Sequence, residues 1–185
     1  MNRGHEPLTL WGLAHVKVEH NHVILDVGCG GGKTVSRLAH MAFCGKVFGI
    51  DYSADMVKYS KKKNKKLIDE DRVEITEGSV EKMIFSDNFF DLVTAIETYY
   101  FWPSFSDASK EIRRVLKCNG NLLLVNEMVK DGKYDIKHVK TIERAQVNLI
   151  PLDEIRDILY AVGFDDVQTF KKAESPWNAI LAKKC

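Results

Sequence analysis

A glycine cluster, two acids at the ends of apolar runs and four consecutive aromatics are the residues whose types and spacing could do chemistry. Gly28-Cys29-Gly30-Gly31-Gly32 follows the apolar run Val23-Ile24-Leu25-Asp26-Val27. It precedes a helical pattern with Val35, Leu38, Ala39 and Ala42 at i, i+3, i+4 and i+7. Glycine lets a backbone take positive φ and lets a ligand approach with no Cβ in the way. The helix that follows offers free N–H groups and the positive end of its dipole. A buried strand, a glycine turn and a helix start therefore cradle a polar ligand. Two familiar versions of that cradle fit poorly. A phosphate-wrapping loop needs a glycine where Val27 stands, although Gly32-Lys33-Thr34 matches its end. A dinucleotide fingerprint needs a third glycine where Lys33 stands, although Asp51 lies at the right distance to take a ribose.

The elements that must position these residues can be read along the chain. Leu10, Leu13 and Ala14 follow Thr9, a cap residue, in a short leading helix. Strands are expected at 23–27, 46–51, 72–77, 89–96 and 121–127. A helix from Ser53 to about Lys66 carries Lys58, Lys61, Lys62, Lys63, Lys65 and Lys66. With a formal net charge of +1, that row reads as a solvated face rather than a phosphate patch. A helix from about Phe105 buries Ala108, Ile112, Val115 and Leu116 and stops at Asn119-Gly120. Residues 128–150 are weakly periodic, with a short helix around Lys137 to Ala145. A helix after Pro151 buries Ile155, Ile158, Leu159 and Val162 and closes at Gly163. Phe164–Phe170 and Trp177–Ala182 are two strands too close in sequence for a crossover, so they form a hairpin.

Strand–helix alternation implies an α/β fold: a Rossmann-like, doubly wound, mostly parallel seven-stranded sheet with an antiparallel C-terminal hairpin strand. One domain over 1–185 is expected. Ligands of such sheets sit off the C-terminal strand ends where strand order reverses. Asp26 to Gly32, Asp51, Ser79 to Glu81 and Ile96 to Trp102 all lie at such ends, so the candidate residues converge on one rim. The balanced charge gives no reason to expect nucleic acid. No apolar run approaches a membrane span, and the first residues lack a signal peptide's apolar centre. The four cysteines, Cys29, Cys44, Cys118 and Cys185, have no paired spacing, which suits a cytoplasmic protein without a metal site.

Several stretches in the same order resemble one family. Val23–Gly32 looks like the first motif of the class I S-adenosylmethionine-dependent methyltransferases. Gly49-Ile50-Asp51-Tyr52-Ser53 resembles their acidic second-strand motif, and Phe90-Asp91-Leu92-Val93 their fourth strand. Val115-Leu116-Lys117-Cys118-Asn119-Gly120-Asn121-Leu122 resembles the approach to their fifth strand, and Ala161-Val162-Gly163-Phe164 the turn before the sixth. The resemblance implies S-adenosyl-L-methionine as cofactor and S-adenosyl-L-homocysteine as product. It implies that Asp26 and the turn Gly28, Cys29, Gly30 and Gly31 hold the methionine end, and that Asp51 accepts both ribose hydroxyls. Tyr52 and Met56 would flank the adenine. Ser79 stands where many members carry an acid, so the adenine contact passes to its hydroxyl or to the Val80 backbone. Ile96 would line the site, Glu97 and Tyr100 would face the reacting centre, and Glu81 would be a surface residue. The chain lacks the Asn-Pro-Pro-Tyr type motif after its fourth strand, which lowers the odds of DNA-adenine or protein-glutamine acceptors. A small-molecule acceptor is expected, on a monomer or homodimer that binds no membrane. The rivals are an RNA or protein methyltransferase and a non-catalytic cofactor-binding module.

Overall fold

A computed structural model describes residues 5–134, 136, 139 and 147–185. Strands β1 (Val23–Val27), β2 (Lys46–Asp51), β3 (Val73–Glu77), β4 (Phe90–Ile96), β5 (Leu116–Asn126), β6 (Val167–Lys171) and β7 (Asn178–Lys183) form one sheet in the order β3-β2-β1-β4-β5-β7-β6. The pairs within β3-β2-β1-β4-β5 are parallel. β7 runs antiparallel to both β5 and β6, which is the hairpin that the short β6–β7 connection requires. Strand order reverses between β1 and β4, so the switch point lies where the glycine turn leaves β1.

The sheet is buried on both faces because its residues alternate between two apolar layers. Leu25, Val27, Phe48, Val93 and Leu124 pack toward α5 (Phe105–Val115) and α6 (Leu152–Ala161). Ile24, Val47, Leu92, Leu123 and Val125 pack toward α1 (Glu6–Leu13), α2 (Lys33–Met41) and α3 (Ala54–Lys63). Near-continuous burial along β1, β2 and β4 is what a central parallel strand needs.

Four boundaries differ from expectation by more than a residue or two of fraying. α1 begins at Glu6, with Pro7 in its first turn, and Thr9 lies inside it. The Thr9 hydroxyl donates back to the His5 carbonyl at 2.9 Å and caps nothing. The lysine-rich helix breaks at Asn64 into α3 and the short α4 (Lys65–Asp69), because the Asn64 side chain is drawn inward. All six lysines are nonetheless exposed. α5 ends at Val115 rather than at Asn119-Gly120. Leu116 is already extended and pairs with Phe90, and Asn119-Gly120 falls at an irregularity of β5, with Asn119 at φ 65°. β6 starts at Val167, after Phe164 has gone into the core. The short helix expected around Lys137 to Ala145 lies, Val139 aside, outside the described residues. Among the described residues, no helix is long and apolar enough to cross a membrane.

Candidate functional site

The rim above the switch point is built by five strand ends. Gly28 takes φ 68°, and a Cβ there would stand 2.3 Å from Thr98 Oγ1. Gly32 takes φ 71°, and a Cβ there would stand 2.1 Å from Ser60 Oγ and 2.4 Å from Asn64 Nδ2. Positive φ and absent space both demand glycine at these positions. The turn is then fastened from both sides. The Cys29 N–H donates to the Ile50 carbonyl at 3.0 Å, and the buried Asn64 amide donates to the Gly32 carbonyl at 3.1 Å and to the Ser60 carbonyl at 2.9 Å. Sequence reasoning missed Ser60 and Asn64, since their only trace is two small polar residues within a lysine-rich helix.

Asp51 closes β2 and is buried. Its Oδ2 accepts the Gly30 N–H at 2.8 Å and its Oδ1 the Ser53 N–H at 3.0 Å. One carboxylate thus links the glycine turn to the start of α3. Ser53 caps that helix, its hydroxyl accepting the Met56 N–H. Each carboxylate oxygen has a second lone pair, so Asp51 keeps acceptor capacity toward the rim.

Asp26 is more deeply buried, 2 % exposed, near the end of β1. Thr94 of β4 donates to its Oδ1 at 2.7 Å. Its carboxyl is pushed up to about 7, with burial the main cause and the Asp51 charge a lesser one, against the downward pull of the Thr94 hydroxyl. A buried acid with so little hydrogen-bond support gains most from a cationic partner. Cys29 is buried too, and burial pushes its thiol up, so it is an inert packing group rather than a nucleophile.

At the end of β3, Ser79 is exposed and its hydroxyl accepts the Glu81 N–H at 3.3 Å, while Val80 is buried. Glu81 is half-buried rather than a surface residue, because its carboxylate accepts the Ser104 N–H at 2.9 Å and ties this loop to the start of α5. Tyr52, just before α3, and Met56, in its first turn, stand exposed at 78 % and 40 %.

At the end of β4, Ile96 is half-buried and Glu97 turns the chain at φ 59°. The aromatic run then divides. Tyr99, Tyr100 and Trp102 are buried, and Phe101 is exposed. Trp102 Nε1 donates to Thr98 Oγ1 at 3.3 Å, the same hydroxyl that crowds Gly28. Tyr100 donates to Glu97 Oε2 at 2.9 Å, and the Glu127 N–H donates to Glu97 Oε1. His5 Nδ1 lies 3.5 Å from Glu97 Oε2 and 3.8 Å from Glu127 Oε2. Burial pushes the Glu97 carboxyl up, against the pull of the Glu127 N–H and the Tyr100 hydroxyl. The Tyr100 phenol is pushed up by burial and by Glu97, so it serves as a donor. The structure links the glycine turn directly to Asp51, sets Asp26 beside them on Thr94, and separately brings together Glu97 and Tyr100. Sequence reasoning missed Glu127, which the pairing of β4 with β5 brings to Glu97, and His5, which α1 lays against it.

Two surface depressions, of about 390 and 580 Å³, lie among α2, α3 and α4 and are lined by Ser36, His40 and Lys63. They hold none of the rim residues.

Comparison with known proteins matches residues 25–124 to a methyltransferase-domain family model. A sterol 24-C-methyltransferase of Kluyveromyces lactis is 30 % identical over 179 residues, covering 89 % of this chain and 47 % of that one. A demethylmenaquinone methyltransferase of Lactiplantibacillus plantarum is 34 % identical over 112 residues, covering 60 % and 47 %. Among solved structures, the YcgJ protein of Bacillus subtilis superposes with a TM-score of 0.79 at 19 % identity, covering 97 % of this chain and 99 % of that one. The chain spans about half the length of the curated relatives it matches. The matched segment runs from β1 through the glycine turn, the Asp51 strand end and the Glu97 corner into β5, and the chain belongs to the class I S-adenosylmethionine-dependent methyltransferase family.

Proposed function

We propose that the protein transfers a methyl group from S-adenosylmethionine to a small, largely apolar acceptor. The observation that carries this reading is the glycine turn fastened to Asp51, with buried Asp26 beside it near the end of β1, at the switch point. The residues fit the cofactor. A buried carboxyl pushed up by burial is completed by an α-ammonium, and the glycine turn is a cradle that a Cβ would fill. Asp51 has acceptor capacity for two ribose hydroxyls. Tyr52 and Met56 flank the adenine, and Ser79 or the Val80 backbone meets its edge. Ile96 lines the floor between the two halves of the site.

Bound S-adenosylmethionine supplies a methyl group already activated on a sulfonium. The chain's task is then alignment and exclusion of water. Tyr99, Tyr100 and Trp102, packed on one another and on Phe105, make a dry aromatic wall beyond β4. Glu97, oriented by Tyr100 and the Glu127 N–H, positions a polar group of the acceptor. The sterol and demethylmenaquinone relatives, together with exposed Phe101 beside that wall, favour an apolar acceptor. The six exposed lysines of α3 and α4 leave an RNA acceptor as the rival.

Calorimetry with S-adenosylhomocysteine, followed by transfer of labelled methyl to a panel of sterols, quinols and tRNA, tests this. One-to-one binding and label in an apolar product are expected. No binding would overturn the cofactor assignment, label in tRNA alone would overturn the acceptor class, and binding without label in any acceptor would favour a non-catalytic module.

A further inference from the structure

The geometry points to a divalent-cation site formed by His5, Glu97 and Glu127, beside the aromatic wall and distinct from the glycine cradle. The three residues come from three elements: His5 is the residue before α1, Glu97 ends β4 and Glu127 follows β5. β4 and β5 are parallel neighbours, so their ends emerge side by side, and α1 lays His5 across both. One ligand atom of each residue lies within 4.8 Å of the others.

The spacing is that of ligands around an ion. His5 Nδ1 stands 3.5 Å from Glu97 Oε2 and 3.8 Å from Glu127 Oε2. A direct hydrogen bond would close these to about 2.7–3.2 Å, as Lys33 and Glu6 do at 2.6 Å nearby. Two ligand atoms bound at about 2.1 Å to one tetrahedral ion lie about 3.4 Å apart. His5 Nδ1 is shielded from solvent and has no hydrogen-bond partner. A buried ring nitrogen aimed at two carboxylates without bonding either is a ligand atom waiting for an ion.

The surroundings support the same reading. Glu97 is held by the Tyr100 hydroxyl and the Glu127 N–H, the outer hydrogen bonds that fix a metal-binding carboxylate. Two carboxylates need positive charge, and among the described residues the basic side chain within 4 Å of them is the His5 imidazole alone. Lys33 and Arg37, the neighbouring bases, are both taken by Glu6. One imidazole and two carboxylates suit a first-row divalent ion such as Mn²⁺ or Zn²⁺. Three protein ligands leave a position open for water or for an acceptor oxygen. Cation binding here does not depend on the methyl-transfer reading; a role in holding an acceptor through an oxygen atom rests on it.

The test uses Mn²⁺ alone, since a hard ion avoids the exposed thiols of Cys44, Cys118 and Cys185. Loss of the free Mn²⁺ electron-spin signal is titrated with the whole chain at pH 7.5, without cofactor. One bound Mn²⁺ per chain is expected, weakened at least tenfold in Glu127→Gln and in His5→Ala. Both variants should bind S-adenosylhomocysteine within twofold of the parent, which reports an intact fold. No saturable Mn²⁺ binding by the parent protein would overturn the proposal, a water then filling the gap. So would equal Mn²⁺ binding by the parent and both variants.

Discussion

Replacing Asp51 by alanine removes a side chain that joins the glycine turn to the start of α3 and faces the rim. In the free protein its oxygens hold the Gly30 and Ser53 N–H groups at 2.8 and 3.0 Å. In the complex the same oxygens would also accept the ribose hydroxyls. A hydrogen bond to a charged group contributes about 1.5–3 kcal/mol net. Losing the equivalent of one such bond weakens binding roughly 10- to 150-fold, and a looser turn adds to that. Calorimetry with S-adenosylhomocysteine at fixed salt measures the change. 5′-Methylthioadenosine separates the causes, because it carries the ribose but no α-ammonium or carboxylate. The loss should be similar for both ligands if Asp51 acts on the ribose. A loss confined to S-adenosylhomocysteine would mean that Asp51 acts only by shaping the turn. Affinity within twofold of the parent for a folded Asp51→Ala protein would refute the assignment outright. Asp51→Asn is no milder, since its amide would turn a donor toward either the Gly30 or the Ser53 N–H.

Asp26 makes binding pH-dependent. Its folded pKa, about 7, lies above the unfolded value near 3.8, so the protonated form favours folding and that contribution is lost as pH rises through 7. The α-ammonium of S-adenosylhomocysteine rewards the ionised form, so the melting shift that ligand causes should grow from pH 6 to 7.5 and stay flat in Asp26→Asn. Gly32→Ala should lower the melting temperature and abolish cofactor binding, because the new Cβ meets Ser60 and Asn64 at a positive φ. A thermal shift unchanged from the parent would contradict it. Lys184 is buried and its ammonium donates to the Arg113 and Leu116 carbonyls at 2.7 and 2.6 Å and to Asn88 Oδ1 at 2.9 Å, closing the end of α5. Lys184→Met should cost about 2–4 kcal/mol, read in urea unfolding, with cofactor affinity retained. A cost below about 0.5 kcal/mol would show that water replaces the ammonium freely.

How much the residues alone disclosed follows from the range of each interaction. Strand and helix order were legible because hydrophobic period and turn chemistry are local, and β2 runs over the expected residues. The hairpin was legible because a short connection forbids a crossover. Errors gathered where a tertiary contact outweighed a local signal. Asn119-Gly120 looks like a helix stop, yet pairing of Leu116 with Phe90 draws the chain into β5 first. Thr9 looks like a cap, yet Pro7 starts the helix earlier.

The sequence by itself determined the glycine turn, the acids at the ends of β1 and β2 and the family to which they point. Each depends on residue type and spacing within one strand–turn–helix unit. Only the tertiary structure decided what supports and surrounds them. Asn64 reaches Gly32 across 32 positions, Glu127 meets Glu97 across 30, and His5 arrives from the first helix. No local pattern records such meetings, because strand order and helix packing, not chain neighbours, bring those atoms together.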